Sequence, residues 1–68
     1  MSSLVFDARL YTRKAVEKAV ADYAQAAELD LSEKEGALSV EIKSIKEGVD
    51  PEEFKGEFSN YVLGVMGA

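Results

Sequence analysis

The sequence contains no cysteine and no histidine among its 68 residues. Without cysteine the chain forms no disulfide and carries no thiol for redox chemistry. Without histidine it lacks the Ser-His-Asp and Cys-His arrangements of nucleophilic catalysis and the usual ligand sets of zinc. Chains below roughly 70–80 residues usually need a disulfide, a structural metal or a partner chain to be stable. We therefore expect a fold that depends on tight packing or on self-association.

Phosphate-binding loops and long apolar runs are also missing. The five glycines form neither a GxGxxG nor a GxxxxGK[ST] pattern. No apolar run is longer than about four residues, against about 20 for a membrane-spanning helix. The N-terminal Met1-Ser2-Ser3 shows no basic or apolar region of a signal peptide. These absences favour a cytoplasmic protein that binds no membrane and no cofactor.

Composition and charge indicate one small acidic folded domain, residues 1–68. The chain is 47% hydrophobic and 31% charged, with a net charge of −5. Residues 1–27 carry four bases and three acids, whereas the remaining residues carry four bases and ten acids. A pI near 4.6 argues against nucleic acid, because phosphate binding needs a basic face. The basic residues of the first part could still contact an acidic partner.

The first half of the chain predicts a strand and then a helix. Residues 4–8 are typical of a short strand, and Thr12 is a suitable helix N-cap. An amphipathic helix of about four turns should follow. Its apolar positions recur every three or four residues, at Val16, Ala19, Val20, Tyr23 and Ala27.

Two alternating runs then predict a β-hairpin. Residues 29–32 alternate with a period of two, and Gly36 supplies the positive φ of a polar turn. Residues 38–42 form the most regular strand, with Leu38, Val40 and Ile42 on one face. Ile45 breaks this alternation, which indicates a bulge or the end of pairing.

A second helix is predicted from Asp50 onward. Asp50 is an N-cap, Pro51 occupies the first helical position, and Glu53 completes a capping pattern. The expected buried stripe consists of Phe54, Phe58, Tyr61, Val62 and Val65, and Gly67 is a suitable stop. Gly56 and Gly64 lie inside this helix and weaken it, which close packing against another backbone would explain.

The order β-α-β-β-α predicts an α+β two-layer sandwich, in which two helices cover one face of a three-stranded mixed sheet. A right-handed crossover makes the first two strands parallel. We predict the order 2-3-1, with the most apolar strand in the centre, although 3-2-1 is an alternative.

No set of residues indicates catalysis or metal binding. Glu53 and Glu57 share a helix face and could hold a cation, but capping and solvation account for them. Asp30, Ser32 and Glu41 match only part of a calcium loop, and the hairpin explains them better. Tyr11, Tyr23 and Tyr61 lie on apolar stripes without an acid–base partner, so we expect no enzyme.

Apolar residues outside the predicted core are candidates for a contact surface. Leu63 and Met66 lie off the buried stripe of the second helix, and Val5 faces away from its strand neighbours. Asn60 and Tyr61 complete the set of predicted partner-binding residues. The sequence therefore predicts a protein- or peptide-binding module, with a structural homodimer without a separate ligand as the alternative.

A family resemblance of this chain rests on two stretches, of which the first is Phe6-Asp7-x-x-Leu10-Tyr11-x-x-x-Ala15-Val16-x-Lys18-Ala19. The second is Glu57-Phe58-x-Asn60-Tyr61-x-Leu63. Both resemble the small D proteins of His-Xaa-Ser peptide-maturation systems, and the second is similar to that family's C-terminal motif, Asn-Asp-Tyr-x-Leu-Arg-Glu. This chain has no Asp between Asn60 and Tyr61, and it has Gly64-Val65 in place of Arg-Glu.

The resemblance implies a non-catalytic accessory protein. Its expected partners are radical S-adenosylmethionine enzymes and a repeat-containing precursor peptide. By analogy with other peptide-modifying systems, a sheet edge could bind the extended peptide. Asn60, Tyr61 and Leu63 are the positions to which the resemblance assigns a partner role.

Overall fold

A computed structural model describes residues 2–67, which form one sheet and two helices. The elements follow the predicted order and confirm the α+β class. They are β1 (Ser2–Asp7), α1 (Arg13–Asp22), β2 (Ala27–Lys34), β3 (Ala37–Ile45) and α2 (Pro51–Gly67). Neither helix is long and apolar enough to cross a membrane within these residues.

The strand order is β1-β3-β2, which confirms the 2-3-1 prediction. Both pairings are antiparallel, so the prediction of a mixed sheet is wrong. β1 and β2 do run in the same direction, as the crossover requires, but β3 separates them. Leu38, Val40 and Ile42 of β3 are buried because they lie on the face of the central strand that packs against the helices, whereas Glu41 on the other face is exposed.

A two-residue turn joins β2 to β3. Glu35 and Gly36 have φ values of 52° and 79°, and Lys34 pairs with Ala37 across the turn. Two successive positive φ values define a type I′ turn, which matches the twist of the strands. Farther along, Leu29 pairs with Ile42 while Glu28 pairs with Ser44. This register shift is the predicted bulge, and it places Ile42 and Ile45 at the core.

Helix α1 begins as predicted but ends early. The Thr12 hydroxyl accepts a hydrogen bond from the Ala15 amide at 3.2 Å, which confirms the N-cap. The helix ends at Asp22, and Ala27 lies in β2 opposite Ile45. The predicted four turns are therefore wrong at the C-terminal end. Ala27 is a buried residue of the sheet and not of α1. Just before it, Ala26 O accepts a hydrogen bond from Lys46 N–H at 2.8 Å.

Helix α2 begins where its capping residues predict. The Glu52 amide donates to Asp50 Oδ1 at 3.0 Å, and Pro51 is the first helical residue. Phe54, Phe58 and Val62 are buried, whereas Tyr61 and Val65 are half-buried at the edge of the core.

Both helices cover the same face of the sheet, and one apolar cluster fills the space between the layers. Its buried members are Phe6, Ala15, Val16, Ala19, Ala27, Leu38, Val40, Ile42, Phe54, Phe58 and Val62. The other face carries alternate strand residues, among them Val5 and Glu41, and is open to solvent.

Candidate functional site

A groove runs along the outside of the molecule between α1 and α2. Its first part, about 620 Å³, is lined by Lys18, Tyr23, Glu57, Asn60, Tyr61, Gly64 and Val65. Its second part, about 480 Å³, is lined by Thr12, Lys14, Ala15, Lys18, Val65 and Met66. Lys18 and Val65 line both parts, so we treat them as one surface and call it the helix groove. It is open to solvent, and most of its lining surface is apolar.

Tyr23 and Tyr61 form an aromatic wall of the helix groove, and Tyr23 fixes its geometry. As the C-cap residue of α1, it lies where the helix meets α2. Its ring centroid lies 5.4 Å from that of Tyr61 and 5.5 Å from those of Phe54 and Phe58. The two phenylalanine contacts are edge-to-face, the arrangement that the ring quadrupoles favour. The groove therefore has a wall anchored directly to the core.

A polar link joins the two helices beside this wall. The Tyr61 hydroxyl donates a hydrogen bond to Asp22 Oδ2, and Lys18 Nζ lies 3.3 Å from the same oxygen. These contacts lower the pKa of Asp22, through the Tyr61 hydrogen bond first and then through Lys18. They raise the pKa of Tyr61 and of Lys18, since both donate to a carboxylate.

The charges along the groove are unevenly distributed. Lys18 is paired with Asp22, whereas Lys14 forms no salt bridge within residues 2–67. Glu57 lines the other part of the groove. One end of the groove therefore offers an unpaired ammonium group next to the apolar surface of Val65 and Met66.

The structure brings three of the five predicted contact residues together. Asn60 and Tyr61 line the first part of the groove, and Met66 lines the second. Leu63 is 51% exposed but lines neither part. Val5 is 67% exposed on the open face of the sheet, away from the helices.

Sequence reasoning did not find Tyr23 and Val65 as groove residues, and it identified the basic residues of residues 1–27 only as a group that could contact an acidic partner. Tyr23 and Val65 fit the predicted buried stripes, yet both are half-buried at the margin of the core. Lys14 and Lys18 are four residues apart and share one helix face. That spacing was the available signal, but only the position of α2 shows that this face borders an apolar surface.

The glycines of α2 are not explained by packing within the described chain. A Cβ added at Gly56 or Gly64 would meet no atom within 4 Å. The expected close approach of another backbone is therefore absent from residues 2–67. Gly64 lines the helix groove, whereas Gly56 lies outside it.

The acidic residues that could hold a cation, Glu53 and Glu57 on α2 and Asp30 and Glu41 on the hairpin, all lie within residues 2–67. Within residues 2–67, no group of three or more acidic side chains is placed to hold a metal. Asp30 and Glu41 are directly paired across β2 and β3, which confirms the hairpin over the calcium loop.

Comparisons of the chain with protein-family models, with curated proteins and with solved structures found no match.

Proposed function

We propose that this protein is a non-catalytic module that binds a segment of another polypeptide in the helix groove. The observation that carries the proposal is the solvent-open apolar wall of Tyr23, Tyr61 and Val65 between the two helices. Pockets that bind polypeptide segments combine such apolar walls with a few polar groups that fix the orientation.

The chemistry of the groove favours an amphipathic segment with an acidic residue near one end. Apolar side chains of the segment would cover Tyr23, Tyr61 and Val65, and its carboxylate would meet the ammonium group of Lys14. A chain with a net charge of −5 otherwise repels acidic partners, so the unpaired ammonium group of Lys14 gives this surface its selectivity.

The resemblance to the D proteins of His-Xaa-Ser peptide-maturation systems supports a more specific proposal. Asn60 and Tyr61 belong to the similar C-terminal motif, and both line the groove. The partner is then a radical S-adenosylmethionine enzyme or its precursor peptide, and the protein is a cytoplasmic accessory factor.

Glycine substitutions in α2 test the proposal without removing any contact of the fold. Gly64→Gln places a side chain in the groove, and Gly56→Gln makes the same change outside it. Both should increase helix stability by about 0.5 kcal/mol, because glutamine is the better helix former. We expect only Gly64→Gln to reduce partner binding, by about tenfold or more.

The measurement is an affinity pull-down from lysate of the source organism, read by mass spectrometry, with each variant as bait. Capture of the same partner by the wild type and Gly56→Gln, and its loss with Gly64→Gln, supports the groove. Equal capture by all three contradicts it. Leu63→Asp should retain the partner, since Leu63 lies outside the groove.

A further inference from the structure

The free edge of β1 exposes unpaired backbone groups. Ala8 N–H donates to Gly36 O at 2.8 Å, which continues the ladder between β1 and β3. Backbone hydrogen bonds alternate between the two sides of a strand, so the backbone groups of Leu4 and Phe6 also bond to β3. The N–H and C=O groups of Ser3 and Val5 therefore point away from β3, toward the free edge of the sheet. Asp7 O faces outward too, but it already accepts from the amides of Leu10 and Tyr11 at 2.9 Å.

The two edges of the sheet differ in charge. Residues 2–6 of β1 carry no charged side chain. β2, the other edge strand, carries three acids and one lysine in eight residues. Natural proteins use charged side chains to prevent edge-to-edge pairing, and β1 lacks this protection over most of its length.

We propose that β1 pairs antiparallel with β1 of a second copy of this chain, joining two three-stranded sheets into one. The register follows from the groups that are free. Ser3 of each copy exchanges both backbone hydrogen bonds with Val5 of the other, and Leu4 faces Leu4 across the two-fold axis. A register shifted toward the C-terminus of β1 would require the Asp7 carbonyl, which is occupied by its own turn.

Self-complementarity and charge indicate that the strand paired with the β1 edge belongs to a second copy of this chain. Two outward residues, Ser3 and Val5, satisfy each other completely under two-fold symmetry. The chain carries a net charge of −5, so most of its surface opposes self-association, and the uncharged edge of β1 brings no like charges together. Pairing would also cover Val5, which is 67% exposed.

This association is independent of the proposed function. The β1 edge and the open face beside it are separate from the helix groove, since none of residues 2–7 lines the groove. A dimer would therefore present two grooves, and Gly64→Gln should leave the dimer intact.

The test is sedimentation equilibrium of the wild type, Val5→Pro and Val5→Thr up to millimolar concentration. Proline at Val5 removes an outward N–H and none of the bonds to β3, a position where edge strands tolerate proline. Val5→Thr keeps the amide and the β-branched shape. We expect dimers for the wild type and Val5→Thr, and at least about 30-fold weaker dimerisation for Val5→Pro.

A monomeric wild type at every concentration overturns the proposal, and so does a Val5→Pro dimer of unchanged affinity. If a partner protein is captured by a monomeric wild type and lost with Val5→Pro, the edge binds another polypeptide, which equally contradicts self-pairing.

Cysteine crosslinking tests the register even if Val5→Pro fails to fold. Leu4→Cys places two thiols across the axis in a pair that lacks hydrogen bonds, with Cα atoms about 4.5 Å apart. The chain has no other cysteine. With oxidised glutathione, Leu4→Cys should form an interchain disulfide faster than Ser32→Cys, although Ser32 is exposed and Leu4 is half-buried. Equal or slower crosslinking of Leu4→Cys contradicts the register.

Discussion

At the residue scale, the turn between β2 and β3 combines one residue that suits a positive φ and one that does not. Gly36 adopts its φ of 79° without steric cost, whereas Glu35 adopts φ 52° with a Cβ. Left-handed backbone costs an ordinary L-residue roughly 1–2 kcal/mol, and asparagine tolerates it better. The geometry of the turn therefore stores a small amount of strain at Glu35.

Glu35→Asn should increase the free energy of unfolding by about 0.5–1 kcal/mol, because Asn-Gly is the preferred type I′ pair. Urea denaturation measures the change. Glu35→Ala is the control, and it should bring no comparable gain because alanine retains the strain. An equal effect of both substitutions would show that the left-handed conformation is not the cause.

At the element scale, α1 and α2 are held together by apolar packing and by the link of Lys18, Asp22 and Tyr61. The hydrogen bond from Tyr61 requires a protonated phenol, and it is strongest when the Asp22 carboxylate is ionised. The lowered pKa of Asp22 adds stability above its ordinary value of 3.8, and this is lost as pH falls through the lowered pKa. The raised pKa of Tyr61 adds stability below 10.0, and this is lost as pH rises through the raised pKa.

Tyr61→Phe should therefore lower the Tm between about pH 5 and pH 9, and this difference from the wild type should shrink at both extremes. Thermal unfolding followed by circular dichroism across the pH range measures it. Tyr11→Phe is the matched control, because Tyr11 packs on Phe6 at 5.0 Å through its ring and its hydroxyl has no hydrogen-bond partner within residues 2–67. A difference that does not vary with pH would mean that the Tyr61 hydroxyl does not act through the ionised carboxylate of Asp22.

At the scale of the whole molecule, one small cluster provides the apolar core between the layers. Phe58 is fully buried and packs against Phe6, Tyr23 and Phe54 from both helices and the sheet. A chain of this length has a free energy of unfolding of about 3–10 kcal/mol. A single cavity in this cluster is therefore comparable to the total stability.

Phe58→Ala should cost about 3–5 kcal/mol and leave much of the protein unfolded at room temperature. Leu63→Ala, which truncates a side chain that is 51% exposed, should change stability by less than about 0.5 kcal/mol. Urea denaturation compares the two. Similar costs would show that Phe58 is not the centre of the core.

The features that the sequence determined by itself depend on short-range interactions. The N-caps Thr12 and Asp50, the positive φ of Gly36, and the alternation of Leu38, Val40 and Ile42 each act within a few residues. The strand order β1-β3-β2 also agrees with the sequence, because the most regularly apolar strand, β3, was expected in the centre of the sheet. Three of the five predicted contact residues lie in one groove, although the binding role itself is still a prediction.

Only the tertiary structure decided the end of α1 and the composition of the groove. Ala27 fits a helical stripe, but its pairing with Ile45 provides a competing set of hydrogen bonds. The groove combines Lys14 and Tyr23 of the first helical region with Val65 of α2, residues about 40 or more positions apart. No local periodicity encodes such a contact, since it exists only when the core brings both helices onto the same face of the sheet.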